Sequence, residues 1–163
     1  MKTVKRRSQK QEKSVAKSFN AKVTVASGAL WGMKADVRND KFLIECKTTE
    51  KDYYSITTKV WEKIEDEALK DRMRTPLLII DLQDTDRYVV FNPNQFIRQV
   101  NTYEVAPHVH GGCKSYRFKG YTQEDLPILF SVIPLKSKKK NHILMVMKMT
   151  EFEDFFEKEL KEE

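Results

Sequence analysis

The spacing of apolar residues along this 163-residue chain changes several times, and each change marks an element. Over residues 8–20, Val15, Ala16 and Phe19 fall on one side and Lys10, Lys13 and Lys17 around the others, the spacing of an amphipathic helix. The run AKVTVAS alternates small and β-branched residues and predicts a strand ending at Ser27-Gly28. LWGMKADVR and KFLIECK predict a hairpin around Asn39-Asp40. A short polar link leads to TTKVWEKIEDEALKDRMR, the clearest helix in the chain. Thr57 or Thr58 can cap it, Val60, Trp61, Ile64 and Ala68 form its apolar stripe, and Arg72 and Arg74 stand at its C-terminal end. Pro76 stops that helix, and LLIIDL reads as a central strand covered on both faces.

Residues 8–83 therefore predict helix, three strands, helix, strand. Beyond them the pattern loosens. DRYVVFN predicts a strand, NPNQFIRQV a short helix with Pro93 in its first turn, and YEVAPHVHGGCKSYRFKG two short strands around His110-Gly111-Gly112. LPILFSVIPL and HILMVMKM predict two strands joined by a lysine-rich loop. The end, TEFEDFFEKELKEE, predicts a helix with Phe152, Phe155 and Phe156 inward and Thr150 as its cap. No Gly-, Pro- or Ser-rich linker divides the chain. The expectation is one α/β domain: a core over residues 1–83 with a mixed central sheet flanked by helices, and an α+β extension over residues 84–163 whose role the sequence leaves unassigned.

Composition narrows the class. With 40% apolar and 33% charged residues and no run near the roughly 18 apolar residues of a membrane span, the expectation is a soluble protein without a membrane partner. The basic start lacks the apolar stretch of a secretory signal. Two unpatterned cysteines, Cys46 and Cys113, point to a reducing, cytoplasmic setting, the host cytoplasm if the source is viral. The net charge of +6 is uneven: residues 1–22 carry eight cations against one acid, and residues 151–163 seven acids against two cations. Further cations cluster at Lys136, Lys138, Lys139 and Lys140. A basic arm and a basic loop suit a phosphate-backbone binder, and equally a solvated tail and loop.

The candidate chemistry lies in residues 34–51. Glu-x-Lys occurs twice, at Glu45-Cys46-Lys47 and Glu159-Leu160-Lys161, about what composition alone supplies. The first differs in its setting. On a strand, residues two apart share a face, so Glu45 and Lys47 point one way while Ile44 and Cys46 point the other. The paired strand brings Asp36 alongside. Two carboxylates that close repel unless a cation sits between them, and Mg²⁺ takes one or two carboxylates with water and phosphate oxygens. Lys47 could then orient or help deprotonate an attacking water. The plain alternative is an exposed ion pair worth under about 1 kcal/mol, with Asp36 a turn residue.

Together these residues resemble the PD-(D/E)xK nuclease superfamily, and within it the archaeal-type Holliday junction resolvases, over about residues 6–83. The matching order is Glu12 in KQEKSVAKSF, Ser27-Gly28 in VASGA, Asp36 in KADV, Glu45 and Lys47 in LIECKTT, then the helix ITTKVWEKI and the strand PLLIIDL. The resemblance implies a restriction-endonuclease-like fold and a Mg²⁺-dependent endodeoxyribonuclease, with Mn²⁺ able to substitute. It would resolve four-way DNA junctions as a homodimer, with no small-molecule cofactor. It implies that Asp36, Glu45 and Glu12 hold the metal, Lys47 serves the attacking water, and Ser27 lies on a loop near the scissile strand. Lys5, Arg6, Arg7, Lys10 and Lys13 would meet phosphates, as would Lys138, Lys139 and Lys140 in the basic loop. There are two departures. Ala35 stands where the superfamily name has proline, and Val60 where many relatives carry glutamine, with Lys59 beside it as a substitute.

Other readings stay open: a different endonuclease of the superfamily (restriction-like or flap- and branch-specific), a non-catalytic DNA-binding module, or a protein-interaction domain. His108, His110 and Cys113 supply three of the four ligands of a closed zinc site, with His142 or Cys46 as the fourth; a hairpin turn with incidental histidines is the simpler reading. Tyr116, Phe118 and Tyr121 among Lys114, Arg117 and Lys119 suit either strand packing or stacking on unpaired bases.

Overall fold

The first helix, α1 (Lys2–Ser18), begins six residues before the apolar pattern does. It buries Val15 and Ala16, with Phe19 just beyond its end. Asn20, at φ +45°, stops it: Ala21 N bonds Ala16 O at 2.8 Å and Asn20 N bonds Lys17 O at 3.3 Å, a left-handed cap that asparagine tolerates. These features come from a computed structural model that describes residues 2–24, 35–83, 86–96, 112–120 and 130–156. The Ser27-Gly28 loop, the start of the LWGMK strand, His108, His110, Tyr121 and the acidic tail from residue 157 lie outside the described residues.

Strands β1 (Lys22–Val23), β2 (Val37–Arg38) and β3 (Phe42–Thr48) pair as an antiparallel meander. The β2–β3 turn is built by Asn39, whose Oδ1 accepts from Lys41 N at 2.9 Å and Phe42 N at 2.7 Å, the local bond that suits asparagine to turns. Its Nδ2 donates to Phe19 O at 2.8 Å, tying the turn to the end of α1. Next comes β4 (Tyr54–Thr57), where the sequence pattern shows only a polar link. Helix α2 (Thr58–Lys70) follows, capped by Thr57 Oγ1, which accepts from Val60 N at 3.2 Å. Strand β5 (Thr75–Asp81) then lies parallel to β3.

Strand β6 (Arg87–Phe91) and a 3-10 turn (Pro93–Phe96) come next, then β7 (Ser115–Phe118), β8 (Phe130–Lys136), β9 (Asn141–Lys148) and α3 (Met149–Phe155). The result is a seven-stranded mixed sheet in the order β1-β2-β3-β5-β6-β9-β8, with a separate two-stranded ribbon of β4 and β7. Strands β6, β8 and β9, beyond residue 84, thus continue the same sheet. Among the described residues no helix is long and apolar enough to cross a membrane.

The sheet's pleat divides the core. Ile44, Cys46, Leu77 and Ile79 face α1 and α3, packing with Val15, Phe19, Phe152 and Phe156. Leu43, Leu78 and Ile80 face α2, packing with Trp61, Ile64 and Ala68. Arg87 fastens α1 across the sheet, forking onto Asp81 at 2.7 and 3.0 Å and reaching Ser14 Oγ at 3.0 Å. The terminal helix corrects two expectations. Lys148, not Thr150, occupies its N-cap, and Phe155 is 50% exposed because the helix buries Phe152 and Phe156 instead.

The ribbon is pinned to the sheet by three contacts. Just before β7, Cys113 N donates to Pro134 O at 3.3 Å and Cys113 O accepts from Lys136 N at 2.9 Å, and Phe118 packs edge-on against Tyr88 with ring centres 4.9 Å apart. Gly120, at φ +82°, lies so close that a Cβ there would meet Tyr88 Oη at 2.8 Å. Gly120→Ala combines an unfavourable φ with a steric clash, so we expect a loss of about 1–3 kcal/mol in urea denaturation.

Candidate functional site

Asp36 ends the β2–β3 ladder with its side chain. Its backbone N donates to Ile44 O at 3.1 Å, while its Oδ2 accepts from Cys46 N at 2.8 Å. Val37 points into the α1-side core, so Asp36 before it projects to the α2 side. Ala35 also enters the α2-side core, which breaks the strand alternation. Its φ of +83° permits that break and carries the strain of a left-handed residue, about 1–2 kcal/mol. Proline, held near about −65°, cannot adopt this backbone.

Glu45 and Lys47 alternate with the α1-facing Ile44 and Cys46, so they share the α2 face with Asp36. Lys47 Nζ donates to Glu45 Oε1 at 2.6 Å, and Glu45 is only 8% exposed. The pair is therefore part-buried, with its carboxylate covered and its ammonium reaching toward solvent. Burial pushes Asp36 up to about 6, with the charge of Glu45 adding to it; the Cys46 amide bond and Lys47 pull the other way, and Glu12 adds a last, smaller push. For Lys47, burial pulls down, but its hydrogen bond with Glu45 and the charges of Glu45 and Asp36 outweigh that and raise it. At neutral pH the group thus holds two carboxylates against one ammonium. On the α1 face, burial and then the Asp36 charge push the Cys46 thiol well above its usual range, making it unreactive.

Two further residues belong to this neighbourhood and escape the sequence pattern. Tyr54 on β4 is half-buried, and its phenol is raised by burial, with Lys47 lowering and Glu45 raising it. Gln11 on α1 is 2% exposed; its Nε2 donates to Lys47 O at 3.1 Å and Ile79 O at 3.4 Å, bridging β3 and β5. Its Oε1 has no hydrogen-bond partner among the described residues. The signal for Gln11 was available, since it is a polar residue on the stripe of Val15, Ala16 and Phe19. Glu12, one residue on, accepts from Ser8 Oγ at 3.0 Å and reaches Asp36 only as a weak field.

The helices set which cations stand near the site. Phe19 meets the Asn39 turn while Gln11 lies over Lys47, so α1 runs antiparallel to β3 and carries its first turns past the carboxyl end of that strand. Lys5, Arg6, Lys10 and Lys13 are exposed there and Arg7 is half-buried. Helix α2 links the parallel strands β3 and β5, so its first turn, with exposed Lys59 and no acid, lies at the same end. The lysine turn does not. The row through Lys47 crosses Ile80, Tyr88 and Lys148. Lys140 stands eight residues before Lys148, roughly 26 Å along the strand at ~3.3 Å per residue. Lys138 and Lys139 are exposed there, and Lys140 is paired with Glu65 at 2.9 Å.

The zinc reading gains no support. His142 is buried with Nε2 3.2 Å from Glu62 and Nδ1 3.6 Å from Glu65, and Cys113 is exposed. Among the described residues no three His, Cys, Asp or Glu side chains form a ready metal-binding group. Set against protein-family models, curated proteins and solved structures, the chain matches none.

The Asp36 shift has a measurable sign. Its folded value of about 6 exceeds its ordinary 3.8, so its contribution to stability is intact below about pH 4 and is lost as pH rises through 6. Asp36→Asn should therefore stabilise the metal-free protein at pH 7.5 by roughly 1–2 kcal/mol, allowing for screening of a partly wet side chain, with the gain vanishing near pH 4. Paired urea melts at the two pH values check this.

Proposed function

We propose that this chain is a divalent-metal-dependent endodeoxyribonuclease of the restriction-endonuclease-like type, cutting branched DNA such as four-way junctions as a homodimer. The observation that carries the reading is the group of buried Glu45 with half-buried Asp36 and Lys47, with one negative charge more than its own ammonium neutralises. The order helix, antiparallel β1-β2-β3, helix, parallel β5 supports it, as does the basic face of α1 beside that group. Strain at Ala35, next to Asp36, is also of the kind that functional sites retain.

Mg²⁺, with Mn²⁺ as a substitute, fits this donor set: hard carboxylate oxygens carrying more negative charge than the one ammonium offsets. Asp36 and Glu45 would hold it, with Glu12 adding negative charge from α1. When bound, the ion would stabilise charge developing on the phosphate oxygens. The protein's own groups do the rest. Charged Lys47 donates hydrogen bonds that orient the attacking water or the phosphate. Gln11 fixes the backbone of Lys47 against β5. The cations of α1 grip phosphates without reading bases, which suits recognition by shape. A two-fold dimer would match the pseudo-symmetry of a junction.

The test is cleavage of a labelled four-way junction and a matched duplex, with Mg²⁺ or EDTA. Wild type should place paired nicks in the junction only with the metal, and Asp36→Asn or Lys47→Ala should lower the rate by about 10²–10⁴-fold. Equal cutting of the duplex would replace junction resolution with a different endonuclease activity. Binding without cutting under either metal would leave a DNA-holding module. Mg²⁺ should also raise the melting temperature of wild type at pH 7.5 but not that of Asp36→Asn.

A further inference from the structure

The β4–β7 ribbon has two unlike faces. Tyr54, Ile56, Tyr116 and Phe118 alternate inward, with Ile56 and Phe118 buried and Tyr54 and Tyr116 packed against the α2-side core. Ser55, Ser115 and Arg117 alternate outward, with Tyr53 and Lys119 flanking them. Residues 53–57 and 114–119 contain three cations and no acid, although Glu50 and Asp52 flank Lys51 in the turn before β4.

The ribbon's cations differ from the others in their surroundings. Lys140, Lys148 and Lys63 each face a carboxylate, at 2.9, 2.6 and 3.8 Å. Among the described residues Lys114, Arg117 and Lys119 have no ion pair. Arg117 instead lies 4.5 Å above the centre of the Tyr53 ring, which also takes the Lys51 ammonium at 5.2 Å. That stacking holds the guanidinium in place while leaving its N–H groups open to an anion. Unpaired cations interleaved with hydroxyls are the side chains that contact DNA phosphates. The inward face of the same ribbon carries Tyr54, which feels Lys47 and Glu45.

We infer that the outward face of the β4–β7 ribbon grips the sugar-phosphate backbone of the DNA arm next to the Asp36–Glu45–Lys47 group. This rests on the nuclease reading and gives residues 112–120 a part in it. Arg117 and Lys119 contact phosphates, Ser55 and Ser115 add hydrogen bonds, and Tyr53 orients Arg117.

The experiment measures binding of uncut four-way junction in EDTA across a salt series, so that it does not depend on cutting. Arg117→Ala/Lys119→Ala is compared with Lys138→Ala/Lys139→Ala, which removes the same charge at the far end of the sheet. All four side chains are exposed, and matching circular dichroism and thermal melts confirm the folds. The ribbon variant should lower the slope of log K against log salt by about 2, and the lysine-turn variant should leave it near wild type. In Mg²⁺ cleavage it should raise KM with kcat nearly unchanged. Equal slopes for ribbon variant and wild type, or equal losses in the two variants, overturn the inference. If wild type binds through the ribbon but never cuts, the nuclease reading fails and the grip stands. If wild type cuts and the ribbon variant binds as well as it does, only the grip fails.

Discussion

The structure turns on a charge that the chain leaves unsettled. Two carboxylates and one ammonium share the α2 side of the β2–β3 pair near the carboxyl end of β3, half out of water, and among the described residues the second carboxylate has no ion pair. Apolar residues of the same shape would satisfy the fold better, since burying unpaired charge costs stability without improving packing. What makes the arrangement tolerable is that each member has a partner of limited strength: Glu45 has Lys47, and Asp36 has one backbone amide.

Much of the surrounding architecture holds that group in place. The Asn39 turn sets the register of β2 on β3 and anchors it to the end of α1. Ala35 takes up the backbone distortion needed to send both its own side chain and that of Asp36 to one side. Gln11 fastens the last turn of β3 to β5 from the opposite face, a buried amide spent on one strand junction. Trp61 and Ile64 press α2 onto the other face, and the parallel crossover brings the start of α2 to the same end.

How much of this could be read from sequence depended on whether the determinant was local. The stripes of α1 and α2, the apolar run of β5 and the Glu45–Lys47 alternation were legible because each repeats within a few residues. The approach of Asp36 to Glu45 followed from the hairpin. Strand β4 was hidden because YSIT between charged residues becomes a strand only through pairing with β7, far along the chain. The positive φ of Ala35 leaves no mark in composition, and Phe155 is apolar on a face that neighbouring phenylalanines had already filled. The lysine turn was visible as charge, but its distance from the site is set by strand order, which no local pattern encodes.

The strand order also says what the second half of the chain does for the first. If the molecule ended after β5, that strand would become a bare edge. Its Leu77–Ile80 stretch, apolar on both faces, would offer a full row of backbone donors and acceptors to any similar segment nearby. The antiparallel strands β6, β9 and β8 close that edge in turn, moving the boundary of the sheet outward to Phe130–Lys136, where Pro134 lacks one of the donors that a further strand would need. The first half of the sheet is therefore the part least able to remain solitary. Strands β6, β9 and β8 act as its built-in chaperone against self-pairing.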